Sequence, residues 1–154
     1  MRKVNIANEI LIPEVIRLLD QGKSVTLRAR GNSMLPFITG DRDSVVLSRQ
    51  NLPAQVGDIV LADLGARHYV IHRIYAIKGN QVTLMGDGNI RGTEQCAMDD
   101  IMGQVIQVVR KGKNIRCDST TERLGAKLWK WLLPCRRYLL AIYRRINKYQ
   151  SNRE

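Results

Sequence analysis

At 154 residues, with 44% apolar and 25% charged residues, the chain has the size and composition of one soluble domain with a real core. Its net charge of +11 is lopsided: residues 1–109 carry 12 Lys/Arg against 11 Asp/Glu, whereas residues 110–154 carry 13 against 3. A near-neutral body with a basic tail argues against nucleic acid coating the whole surface and points to a partner of the tail alone. Cys96, Cys117 and Cys135 lack the spacing of a metal site, so no metal and no cofactor is expected, and a reducing compartment is the simplest setting. Ile10-Leu11-Ile12 is bracketed by Glu9 and by Pro13-Glu14, with no small-residue cleavage site after it, so no signal peptide is expected. No apolar run approaches the roughly 20 residues that span a bilayer. The expected location is cytoplasmic, peripheral to the membrane if the tail binds lipid.

Residues 8–20 place Leu11, Val15, Leu18 and Leu19 at helical spacing, with Ile12 and Ile16 alongside, Asn8 as N-cap and Gly22 as stop. The period then changes to two: Val25, Leu27 and Ala29 alternate with Thr26, Arg28 and Arg30 as in a half-buried strand. Further short strands are predicted over 44–49, 58–64, 69–77, 80–85 and 103–109. Turn signals such as Lys78-Gly79-Asn80 and Lys111-Gly112-Lys113-Asn114 separate them. The pattern predicts a mainly β fold, a curved, mostly antiparallel domain over residues 1–118 with a short N-terminal helix. Residues 119–154 form a second region. There Leu128, Leu132, Cys135, Leu139, Ile142, Ile146 and Tyr149 make an apolar stripe at spacings of four and three. Pro134 is expected to kink or split this basic amphipathic segment.

The candidate chemistry begins at Gly31-Asn32-Ser33-Met34-Leu35-Pro36. A serine on a tight turn can face outward while Met34 and Leu35 pack beneath, but it needs a base and oxyanion donors to act as a nucleophile. By itself Ser33 reads first as a polar turn residue, as most serines between strands do. Of the two histidines, His72 in Tyr69-Val70-Ile71-His72-Arg73 lies mid-strand, whereas His68 precedes the strand and sits in a loop. A histidine is the natural general base near neutrality, and a half-buried core histidine is the competing reading. Asp87, in Gly86-Asp87-Gly88-Asn89, either orients His72 as the third member of a triad or serves only the turn chemistry of its Asp-Gly pair. Asp41 and Asp43 do not make a calcium loop, because Val46 and Leu52 stand where glycine and a bidentate glutamate are needed.

Taken together, Ser-Met-x-Pro, a strand ending in His-Arg, and Gly-Asp-x-Asn resemble the boxes of the signal peptidase I and LexA-type serine peptidase superfamily. The resemblance covers roughly residues 24–110 and is greatest to the branch with a histidine base. LexA-type members carry lysine where this chain has His72. The resemblance implies Ser33 as nucleophile, His72 as base and Asp87 as supporting acid, with Asn32, Met34 and Pro36 at the oxyanion and substrate side. It also implies small residues beside the cleaved bond. Gly31 departs from members with a hydroxyl two residues before the nucleophile, and no Ala-Gly self-cleavage pair or helix-turn-helix accompanies the match. A repressor that cleaves itself is therefore disfavoured.

The expected function is a serine endopeptidase acting on an extended peptide or precursor protein. The alternative is a non-catalytic domain of the same shape that binds peptide, membrane or nucleic acid through its tail. For residues 121–149 the favoured partner is an anionic membrane surface, ahead of simple packing on the β-domain. Nucleic acid is the least favoured, since no RNA- or DNA-binding motif is present. Nothing in the sequence sets an oligomeric state.

Overall fold

A computed structural model describes the backbone of residues 8–151 and the side chains of residues 11–148. Helix α1 (Asn8–Asp20) is followed by strands β1 (Val25–Arg28), β2 (Asp43–Ser48), β3 (Ile59–Asp63), β4 (Tyr69–Lys78) and β5 (Gln81–Met85). Then come β6 (Glu94–Ala97), β7 (Ile101–Arg110) and β8 (Lys113–Arg116), and helices α2 (Thr120–Trp131) and α3 (Arg136–Ser151). The expected N-cap side chain of Asn8 and the stripe residue Tyr149 lie outside the described side chains.

The helix stop at Gly22 is a six-residue cap. Gly22, at φ +78°, donates to the Leu19 carbonyl at 2.9 Å, and Lys23 donates to that of Leu18 at 3.1 Å, which satisfies carbonyls that the helix end leaves open. Ile12, Val15 and Leu19 are buried against Val45, Leu47, Leu61 and Val105 of the sheet. Gly103 permits that approach, since a Cβ there would lie 2.9 Å from Leu19 Cδ1.

Among the described residues, all eight strands join one antiparallel sheet in the order β1-β2-β7-β3-β4-β5-β6, with β8 beside β7. Each face buries its own apolar cluster. Leu47, Leu61 and Val105 lie under α1, and Val60, Ile74, Val82 and Leu84 lie on the other side. This is the expected mainly β fold with helices at both ends. Two strands go beyond the expectation. β8 belongs to a hairpin closed by Lys111 (φ 49°) and Gly112 (φ 77°), and two consecutive positive φ values suit the twist of a two-residue hairpin loop. β6 is a four-residue edge strand without apolar alternation, so period counting had nothing to detect.

Pro134 splits the C-terminal segment, with a 3-10 turn Leu133–Cys135 between α2 and α3. Ser119 caps α2 by accepting from the Glu122 N–H at 3.3 Å. The inward residues of this segment are Ala126 and Trp129 of α2, with Arg136, Leu140 and Tyr143 of α3, and of the apolar stripe Leu132 and Leu139 are half-buried. Leu128, Ile142 and Ile146 are more than half exposed. Helical periodicity finds an apolar face but does not say whether that face turns to the core.

The long β1–β2 connection, residues 29–42, is closed at its base by Asp43. The Ala29 N–H donates to the Asp43 carbonyl at 2.9 Å, and Asp41 donates back to the Ala29 carbonyl at 2.8 Å. The Asp43 carboxylate, with no exposure, accepts from Arg42, Arg110 and the Thr39 N–H. Burial alone would raise the Asp43 pKa, but those hydrogen bonds outweigh it and hold the carboxyl below its ordinary range. Asp43 therefore supports folding fully above the unfolded-state value of about 3.9. That support is lost as pH falls through the depressed folded value. Asp43→Asn leaves two arginines facing a neutral amide, and because both reach water in part, we expect a loss of about 2–4 kcal/mol. Thermal melts check this, and the variant should lose less stability than the wild type between neutral and acid pH.

Candidate functional site

Ser33 stands on the connection that Asp43 closes. Gly31 takes φ +75° as the chain leaves β1, a conformation open to glycine at little steric penalty. Gly40 then passes so near that a Cβ would lie 2.3 Å from the Gly31 carbonyl oxygen. The turn is held by Leu35 N–H to the Asn32 carbonyl at 3.3 Å and Ile38 N–H to the Met34 carbonyl at 2.9 Å. Met34 and Leu35 are buried while Ser33 stays half-buried and Asn32 exposed. Among the described residues, the Ser33 and Met34 N–H groups make no hydrogen bond.

The Gly86–Asn89 loop braces this turn from the side. Gly88 N–H donates to the Ser33 carbonyl at 2.8 Å. A Cβ on Gly86 would sit 2.3 Å from the Ser33 carbonyl oxygen, and one on Gly88 would sit 2.3 Å from that of Asn32. The glycines of Gly-Asp-Gly-Asn are thus explained by backbone-on-backbone contact. Met85 is paired with Arg73, so the chain leaves the sheet at Gly86 beside His72 and carries the Ser33 turn to it.

Consecutive residues of a strand face opposite sides, and His72-Arg73 divides its work accordingly. His72 is buried, and its Nδ1 lies 2.9 Å from Glu94 Oε2. A carboxylate only accepts, so in the neutral ring Nδ1 carries the hydrogen and Nε2 keeps its lone pair. Register explains the reach. Val60 is opposite His72, Ile74 is opposite Leu84, and Leu84 is opposite Glu94, so Glu94 projects on the His72 face. Arg73, on the other face, grips Asp87 with Nε to Oδ1 at 2.9 Å and Nη2 to Oδ2 at 2.7 Å. Its Nη1 donates to the Gly57 carbonyl at 2.8 Å, and its guanidinium lies over the Phe37 ring, 4.9 Å from the centroid.

The expected contact of Asp87 with His72 is therefore not formed. Asp87 belongs to the Arg73 face, and Glu94, which the sequence reading did not single out, takes the place beside His72. The sequence carried little signal for Glu94, since it lies on the edge strand that periodicity missed. His68 lies in the loop before β4, as expected, with its N–H donating to the Gly65 carbonyl at 2.9 Å. Pro36, after a cis Leu35-Pro36 bond, is half-buried beneath the turn, away from the groove that holds Ser33.

Ser33, Met34 and His72 line one groove of about 410 Å³, with Leu27 to Gly31 on one wall and Tyr69 to Ile71 on the other. Both walls are sheet edges: β1 ends the strand order, and β5 pairs with β4 only from Arg73 onward. Unpaired edges can hydrogen-bond an added extended chain. No cysteine lines this groove. Burial pushes the Cys117 thiol up to about 11 and moves Cys96 in the same direction, away from the reactive thiolate. Among the described residues, no cluster of His, Cys, Asp and Glu could hold a metal.

The family model described as Peptidase S24-like matches residues 3–106, which span Ser33, His72, Asp87 and Glu94. No curated protein matches the chain.

Two glycine substitutions separate the brace from ordinary packing. Gly88→Ala drives a methyl into the Asn32 carbonyl, and we expect it to lower stability by about 1–3 kcal/mol. Gly125→Ala, in α2 with Phe37 no nearer than 3.5 Å, should instead stabilise by about 0.5–1 kcal/mol. Denaturant titrations of the two variants measure both.

Proposed function

The chain belongs to the Peptidase S24-like family, and from that premise we propose that it is a serine endopeptidase with a Ser33–His72–Glu94 catalytic set acting on an extended peptide. One observation carries the reading. A serine on a braced turn shares a groove with a buried histidine whose Nδ1 meets a carboxylate.

In this reading Ser33 Oγ attacks the scissile carbonyl while His72 Nε2 takes its proton. The same nitrogen then returns that proton to the departing amine, leaving an acyl-serine. Water, deprotonated by His72, attacks the ester; the acyl–Oγ bond breaks, the proton passes from His72 to Ser33 Oγ, and the second product leaves. Glu94 holds the productive tautomer and stabilises the imidazolium as it forms. The Ser33 and Met34 N–H groups are the donors for the oxyanion, and the amide of Asn32 is a third. The oxyanion then does not depend on a hydroxyl at Gly31. The substrate is a peptide segment without regular structure, which adds as a strand along Tyr69–Ile71. Asp87 acts at one remove, since with Arg73 it fixes the loop against which the Ser33 turn rests.

The test is cleavage of a diverse peptide library followed by mass spectrometry. We expect cuts by the wild type that Ser33→Ala and His72→Ala reduce by roughly 10³-fold or more. Glu94→Gln should lower kcat by roughly 10²–10⁴-fold with the fold intact. Asp87→Asn should chiefly lower the melting temperature, because it breaks a buried ion pair. An Asp87→Asn loss that exceeds the Glu94→Gln loss at equal stability would overturn the carboxylate assignment. Absence of any Ser33-dependent cut would favour the non-catalytic alternative.

A further inference from the structure

The two C-terminal helices have two apolar faces, and the sheet uses only one. On α2, Ala126 and Trp129 turn inward, and Trp129 Nε1 donates to the Asp87 carbonyl at 2.7 Å. On α3, Arg136 and Leu140 are buried, with Arg136 Nη1 donating to the Asn89 carbonyl at 3.1 Å. The helices are thereby anchored to the loop that braces Ser33. Their other face remains open. Leu124, Leu128 and Trp131 recur at i, i+4 and i+7 on α2, and Tyr138, Ile142 and Ile146 recur every four residues on α3. All six are more than half exposed, and Trp131 is 78% exposed.

Cations flank this row. Arg123, Lys127, Arg137, Arg144, Arg145 and Lys148 are exposed, and Glu122 is the single acidic residue between Ser119 and Ser151. We propose that this outer face of α2 and α3 is a docking surface for an anionic lipid membrane, with the apolar row entering the headgroup–acyl boundary and the cations meeting lipid phosphates. Charge and shape select the occupant. A second copy of the chain would bring the same positive face and be repelled. Nucleic acid would use the cations but give no reason for exposed leucine, isoleucine and tryptophan on both helices. A lipid surface uses both halves, which is the pattern of helices that lie in the interface plane. No described helix is long and apolar enough to cross the membrane, so docking is peripheral. The proposal does not rest on the peptidase reading.

Flotation of the full chain with phosphatidylcholine vesicles, with and without phosphatidylglycerol, tests it. We expect partitioning that requires phosphatidylglycerol, weakens with salt, and falls roughly five-fold for each exposed cation changed to glutamine among Arg144, Arg145 and Lys148. The double variant Leu128→Gln/Ile142→Gln should cut partitioning by roughly ten-fold or more, with an unchanged circular dichroism spectrum because both side chains are exposed. Vesicles should also shift tryptophan emission to the blue, and Trp131→Phe should abolish that shift. Failure to float with anionic vesicles overturns the proposal. So does equal binding to duplex DNA or to vesicles by the Leu128/Ile142 variant, which would make the face a polyanion site. Concentration-dependent self-association removed by the same variant would make it an interface between copies, and would equally overturn the proposal.

Discussion

The contact on which the rest of the site depends is backbone against backbone: the Gly86–Asn89 loop lying on the Ser33 turn. The two segments lie so close that a single methyl on Gly86 or Gly88 would sit 2.3 Å from a carbonyl oxygen of the turn. The hydrogen bond from Gly88 to the Ser33 carbonyl orients the turn, and the glycines make that bond accessible. In the proposed peptidase reading, a serine held this way would lose little further freedom on reacting, which is what positioning contributes to an acyl transfer. Asp43 does the corresponding work at the other end of the connection, where a buried carboxylate gathers Arg42, Arg110 and the Thr39 N–H.

Strand β4 converts one dipeptide into two functions. His72 and Arg73 are adjacent in the chain and opposed across the sheet, so each collects the carboxylate on its own side. Glu94 reaches His72 along the Leu84 and Ile74 rows. Asp87 reaches Arg73, which also holds Gly57 and covers Phe37. One pair can set the tautomer of an imidazole, and the other fixes the loop on which the Ser33 turn rests. The two carboxylates are not interchangeable, because exchange would require a strand to shift by one residue and so turn every side chain to the other face.

The C-terminal helices extend the same framework outward. Trp129 and Arg136 bond to carbonyls of the bracing loop, so the tail belongs to the support of the site as well as to the surface. Burial lowers the pKa of Arg136. The guanidinium is matched there by the carbonyls of Asn89 and Trp129 and by the Trp129 ring, 5.1 Å away.

Much of this architecture was legible in the residues. Alternation located six of the strands, the Gly22 stop and the Pro134 break stood where the punctuation put them, and the Ser33, His72 and Gly86–Asn89 boxes carried the family. Local pattern suffices for these because a turn, a cap or an alternating strand is decided by its own neighbours. Glu94 was not legible, since a four-residue polar edge strand has no periodicity and its reach to His72 depends on register across three strands. Nor was the direction of the tail's apolar stripe, because helical spacing defines a face without naming what covers it. The sequence by itself determined most of the elements, the Ser33 turn and the basic tail. Only the tertiary structure decided which carboxylate meets the histidine and which helix face meets water, because both follow from contacts between segments far apart in the chain.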